Sequence, residues 1–208
     1  MLKNLFLIAT AFFVSTGLAE KKYPSKGKAE AKAETLMVDT TASTVNWVAS
    51  KKMGDKHTGQ IKVKDGKVEM KDGKLVGGSF TIDMTTLTDE DLKAKPDYQT
   101  KLVTHLKSDD FFKVEKNPTS EFKITSVVEK DGKTMVKGNL TMIGKTEVLE
   151  FPAKIETKDG KVMGTAKVEI DRTKWGLTYG SGNIFKELTA DKIINNTFEL
   201  NLNLTAKK

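Results

Sequence analysis

The stretch THLKSDDFFKVEKNP, from Thr104 to Pro118, holds one of only two histidines in the chain, beside two aspartates and two phenylalanines. His105 with Asp109 or Asp110 has the residue types of a general acid–base pair or of part of a metal shell. The rest of the chain argues for a blander role. The other histidine, His57, lies far upstream in a Lys/Gly-rich stretch, and there is no cysteine. A metal site would have to gather carboxylates from distant loops, so no dedicated metal site is expected. Adjacent aspartates diverge unless the backbone turns, and after Ser108 they read as an N-cap or Asx turn. Paired carboxylates for glycoside hydrolysis would also need a polar cleft. The chain shows no G-x-S-x-G, H-E-x-x-H, phosphate-loop or calcium-loop pattern. It reads as a non-enzyme, with a hydrolase built on His105 and Asp109 or Asp110 as the weaker alternative.

A second constellation is Asp171-Arg172-Thr173, followed by the aromatic and glycine-rich run KWGLTYGSGN. Arg172 is the sole arginine among many lysines. A guanidinium is chosen for its planar fork. Two roles fit it: pairing with an aspartate or stacking on Trp175 to close the fold, or hydrogen-bonding a ligand headgroup. His105 is the other candidate headgroup contact.

The elements that must position these residues are strands. Val45, Trp47 and Ala49 alternate with polar neighbours, as do Ile61 and Val63, then Phe80, Ile82 and Met84. Leu140 with Met142, Val162 to Ile170 and Phe198 to Leu204 repeat the pattern, which marks strands with one buried face. KDGK recurs at Lys64–Lys67, Lys71–Lys74, Lys130–Lys133 and Lys158–Lys161. Asp-Gly between alternating runs signals a tight hairpin, so all four predict turns of an antiparallel meander. One region breaks the alternation. Tyr98, Leu102, Val103 and Leu106 predict one apolar face of a short helix over Pro96 to Lys107, and LTDEDL before it resembles a cap. Roughly nine or ten strand-like runs and one helix point to a closed barrel, because closure removes sheet edges. A barrel of about eight strands has room for one small ligand. Gly59, Gly78, Gly138 and Gly164 either make that room or bend the corners.

The chain has 208 residues and a net charge of +7. Lysines alternate with acidic residues rather than clustering, so nucleic acid is not an expected partner. Residues 1–19 read as a cleaved signal peptide: Lys3, the apolar run LFLIATAFFV, and small residues Gly17 and Ala19 before the cut. The run is too short for a comfortable membrane span. Residues 20–35 read as a flexible Lys/Ala/Glu-rich tether, and residues 36–205 as the folded domain.

HLKSDDFFKVEKNPTSEFKI, NLTMIGKT, DRTKWGLTYGSG and the closing NNTFELNLNL together resemble the YceI-like family over nearly the whole domain. The resemblance implies an all-β fold, an elongated antiparallel lipocalin-like β-barrel with one short helical insertion. It also implies a periplasmic carrier that holds a polyisoprenoid or similar amphiphilic lipid, such as an isoprenoid quinone, in an apolar tunnel, with no other cofactor. By position, Leu102, Phe111, Phe112, Phe122 and Ile124 are expected to line the tunnel. Alternation alone adds Trp47, Ile61, Phe80, Ile82, Leu140 and Val168, where a one-residue register error would turn a side chain outward. Trp175 completes the set. Transient membrane-surface contact and a homodimer are compatible with this reading. The alternative is a secreted interaction module whose barrel is filled by its own side chains.

Overall fold

The computed structural model describes residues 33–208. The expected signal peptide and all of the tether up to residue 32 lie outside the described residues. Nine strands follow: β1 (Glu34–Val38), β2 (Thr44–Ser50), β3 (Lys56–Lys71), β4 (Lys74–Asp89), β5 (Thr119–Lys130), β6 (Lys133–Met142), β7 (Lys145–Lys158), β8 (Lys161–Asp171) and β9 (Thr197–Lys207). β1 therefore takes in Glu34 and Thr35, which the sequence had assigned to the tether. The helix α1 spans Pro96–Lys107, and a 3-10 turn covers Arg172–Trp175.

All pairings are antiparallel, and β3 pairs with β4 to close the sheet into a barrel. Eight positions surround the axis because β1 and β2 share one. Both lie between β3 and β9, β1 beside Val38↔Ala206 and β2 beside Thr44↔Asn203. This is the closed antiparallel barrel with one helix that the pattern predicts.

Three of the four KDGK segments are hairpin turns. Asp72-Gly73, Asp131-Gly132 and Asp159-Gly160 all have positive φ at both residues, as a type I′ turn requires. The fourth, Lys64–Lys67, is not a turn and sits inside β3. The register there shifts between Val63 and Asp65. Val63 and Val68 lie an odd number of residues apart yet both are buried. An inserted residue restores the inward phase that strict alternation would lose. The β6–β7 turn instead uses Ile143-Gly144, again with both φ positive. A β-branched residue is costly in that conformation, and Ile143 packs against the core.

The interior forms two packed regions. One includes Leu36, Val68, Val136, Phe151, Ile170 and Trp175, and the other Val45, Ile61, Val63, Met84, Leu87 and Val114. Phe112, Leu200 and Leu202 pack against both. Two glycines give rings their space. A Cβ at Gly59 would meet the Trp47 ring at 2.6 Å, and one at Gly138 the Phe122 ring at 2.4 Å. Helix α1 begins with proline in its first turn, where the missing N–H costs nothing. Lys107 Nζ donates to Thr85 O at 2.7 Å and Gln99 Nε2 to Asp89 O at 2.6 Å, which tie the helix to β4. Val103 and Leu106 pack inward, but Tyr98 is 65% exposed with Lys101 over its ring. The apolar face of α1 is thus narrower than expected. LTDEDL does not cap the helix; Asp89 ends β4, and its Oδ1 accepts from Leu92 N in the following turn.

Asp39 organises the step from β1 to β2. Its Oδ1 accepts from Thr41 and Ala42, and its Oδ2 from Lys207 Nζ on β9 at 2.7 Å. The Lys207 bond first, then Thr41, hold this carboxyl far below the usual carboxylate range. A depressed folded-state value stabilises the fold above the unfolded value, near pH ~4, and that stability is lost as pH falls further. Asp39→Asn should therefore lower the urea midpoint at neutral pH. The gap between variant and wild type should close as the titration is carried well below pH ~4.

Candidate functional site

The barrel encloses a cavity of about 800 Å³. Its wall is built from inward residues of nearly every strand, for the reason the alternation predicts: one face of each strand cannot remain wet in a closed barrel. Trp47, Ile61, Phe80, Ile82, Leu102, Phe111, Phe112, Phe122, Ile124, Leu140 and Val168 all line it. Trp175 does not. It is buried behind the wall, where its Nε1 donates to Leu140 O at 3.0 Å. An indole that must satisfy its N–H has found a backbone carbonyl in the core, so Trp175 holds the barrel wall rather than facing the cavity.

Sequence reasoning missed part of the lining. Phe198, Leu200, Leu202 and Leu204 of β9 line the cavity, and their alternation was visible. Leu177, Tyr179, Phe185 and Leu188 line it from the loop between the 3-10 turn and β9. No periodic signal marks residues in an irregular loop. Tyr179 and Phe185 are 44% and 38% exposed while lining the cavity, so it reaches the surface there.

Arg172 builds this mouth. It is 4% exposed. Its Nε donates to Asn195 O at 3.1 Å, one terminal nitrogen to Leu177 O at 2.6 Å, and the other to Ile194 O at 3.1 Å. The guanidinium thus grips both ends of the mouth loop. It neither pairs with an aspartate nor stacks on Trp175. Asp171 instead accepts from Thr173 N and Oγ1 and caps the 3-10 turn. Burial pulls Arg172 below its ordinary value, and the Asp171 charge opposes this. Ser181, fully buried, donates to Asn196 Oδ1 at 2.7 Å and fastens the same loop.

His105, Asp109 and Asp110 do not converge. His105 Nε2 meets Asp110 Oδ2 at 3.0 Å, while Lys116 Nζ takes both oxygens of Asp109. Lys116 holds the Asp109 carboxyl below its ordinary value. Ser108 Oγ donates to His105 O and accepts from Asp110 N, so the polar residues shape the helix end. The His105 ring packs edge-on against Phe111 at 5.0 Å and against Tyr179 at 4.8 Å, with Phe111 and Tyr179 5.2 Å apart. Three segments meet in this cluster beside the mouth: α1, the turn after it, and the loop before β9. His57, isolated in sequence, lies beside Asp89 and Asp91 at the β4 end.

The sequence profile of the YceI-like domain matches residues 36–206. The chain belongs to the YceI-like family. Solved structures similar to this YceI-like barrel include Burkholderia cenocepacia BcnA, at 22% identity and TM-score 0.66, covering 82% of this chain and 99% of that one. A polyisoprenoid binding domain from Saccharophagus degradans matches at 14% identity and TM-score 0.60, covering 85% of this chain and 99% of that one. The Campylobacter jejuni YceI protein matches at 22% identity and TM-score 0.50, covering 65% of this chain and 74% of that one. At these identities the likeness is one of fold. No curated protein matches by sequence.

Arg172→Lys keeps the charge but cannot reach three carbonyls at once. It should cost roughly 2–4 kcal/mol in urea unfolding and speed amide exchange between residues 176 and 196.

Proposed function

We propose that this protein is a periplasmic lipid carrier that holds a polyisoprenoid or similar long-chain amphiphile inside the barrel, for transport, storage or stress response. The observation that carries this reading is the cavity of about 800 Å³, lined almost wholly by apolar side chains and open beside Tyr179 and Phe185. It falls within the roughly 300–1,000 Å³ typical of small-molecule sites. A barrel filled by its own side chains would leave no such space, which weighs against the interaction-module alternative. The polyisoprenoid binding domain of Saccharophagus degradans shares the fold and supports the same ligand class.

The energetics suit a long apolar chain. Each methylene moved from water into a dry tunnel gains about 0.8 kcal/mol, so a few isoprene units outweigh the cost of ordering the chain. The polar end would lie at the mouth. His105 suits a headgroup contact better than Arg172, because each of the Arg172 nitrogens already donates to a carbonyl. Exposed Tyr179, Ile184 and Phe185 at the same end, with Lys186 and Lys192 in the same loop, suit transient contact with an anionic membrane surface during loading.

Organic extraction of protein purified from its native host, followed by mass spectrometry, should yield an isoprenoid or long-chain amphiphile. Phe112 lines the cavity and touches both packed regions. Phe112→Asp should lower retained lipid at least about tenfold, equivalent to ~1.4 kcal/mol, while circular dichroism stays that of a barrel. Clean extracts from folded wild-type protein that also fails to take up added isoprenoid quinones would refute the carrier reading. Intact-mass measurement of the exported protein should give a chain beginning at Glu20. A chain that retains residues 1–19 would overturn the cleaved signal peptide.

A further inference from the structure

His57, Asp89 and Asp91 each offer one ligating atom within 4.8 Å of the others. The backbone arranges them from three places. His57 lies on β3, Asp89 ends β4, and Asp91 follows in the turn that leads to α1. Each carboxylate has one oxygen anchored by an amide. Asp89 Oδ1 accepts from Leu92 N at 2.8 Å, and Asp91 Oδ1 accepts from Thr58 N at 2.7 Å. That leaves the two Oδ2 atoms without an amide donor. Asp91 Oδ2 stands 3.0 Å from His57 Nδ1. Asp89 Oδ2 is fully buried in a residue only 1% exposed, has no hydrogen-bond partner among the described residues, and lies against the Asp91 carboxylate.

A buried, unpartnered carboxylate oxygen is expensive, and here a second carboxylate adds to that cost. One cation would relieve all of this. Zinc binds imidazole nitrogen and carboxylate oxygen at about 2.0–2.2 Å, which separates ligands around one ion by roughly 3.3–3.5 Å. The three groups need to move by only on the order of 1 Å to reach that geometry. An imidazole with two carboxylates favours a first-row transition ion over magnesium or calcium. Asp91 and His57 are partly exposed, which gives an ion access, and water would complete the shell.

We propose that His57, Asp89 and Asp91 form a divalent-cation site of the zinc class that fastens the β4–α1 connection to β3. The Asp89 backbone carbonyl already receives Gln99 of α1, so the site would also steady the helix. Spacing along the chain could not show it, because His57 and Asp91 are 34 residues apart. The inference stands whether or not the barrel carries lipid.

The test uses the mature chain without a histidine tag, stripped with chelator and titrated with ZnCl2 by calorimetry. CoCl2 serves as a visible-absorption probe. Wild type should take up one equivalent of zinc, show cobalt bands in the visible, and melt at higher temperature with zinc. Asp89→Asn and His57→Ala should each weaken zinc at least tenfold and abolish the melting shift. Asp91→Asn, at the more exposed carboxylate, should do the same and covers the case in which the buried substitution disturbs folding. His105→Ala, whatever it does to lipid retention or basal stability, should leave zinc affinity and the zinc-dependent melting shift unchanged. Absence of a one-equivalent site, or binding lost in His105→Ala and kept in Asp89→Asn, would overturn the proposal. So would an Asp89→Asn protein that is more stable yet binds zinc as wild type does, since a proton shared between the two aspartates would then explain the pair.

Discussion

The hydrogen-bonded seam between β3 and β4 is the constraint on which the other features rest. In the sheet order β4 stands at one end and β3 next to the other, beside β1, and without the pairing of β3 with β4 the sheet would be an open, curled ribbon with exposed edges. Closing it obliges every strand to turn one face inward, and so defines an interior. The seam has a cost in regularity. Its register shifts at three places, between Gln60 and Lys62, Val63 and Asp65, and Glu69 and Met70. Each shift lets long strands coil around the axis without turning apolar side chains out to water.

A closed sheet alone does not make a cavity; the side chains could fill it. Here large rings lie over residues with no side chain. Trp47 occupies the space above Gly59, and Phe122 the space above Gly138. Rings that take the space of a missing side chain in the wall intrude less on the axis. An unfilled interior forgoes dispersion contacts that a packed core would have, and a bound apolar chain would restore them. The hollow and the carrier reading are therefore parts of one energetic argument.

The mouth is held by polar chemistry instead. Arg172 satisfies the carbonyls of Leu177, Ile194 and Asn195 around one buried guanidinium. Irregular backbone near an apolar cavity has carbonyls that no strand partner can reach, and a five-donor fork answers several at once. The His105, Phe111 and Tyr179 rings pack together beside the opening. The same side chain that suggested acid–base chemistry is thus mostly a packing surface, with one edge near solvent.

Much of this was legible in the residues themselves. Period-two alternation identified the strands, three Asp-Gly pairs placed hairpin turns, and proline with an i, i+4 pattern marked α1, because these signals arise from neighbours in the chain. Alternation also placed Trp47, Ile61, Phe80 and Val168 on the inner face. What required the folded chain was everything set by contacts between distant segments. The KDGK at Lys64–Lys67 is a turn by local rules, but the burial of Val63 and Val68 on either side kept it in β3. Ile143-Gly144 is a poor turn by local rules, yet core packing of Ile143 sustains it. Trp175 and Arg172 were recognisable as unusual, but only the positions of Leu140, Leu177, Ile194 and Asn195 decided that both serve the wall and its mouth. Local preference acts through one or two residues of backbone; the meeting of His57 with Asp89 and Asp91 depends on strand register, which no single segment contains.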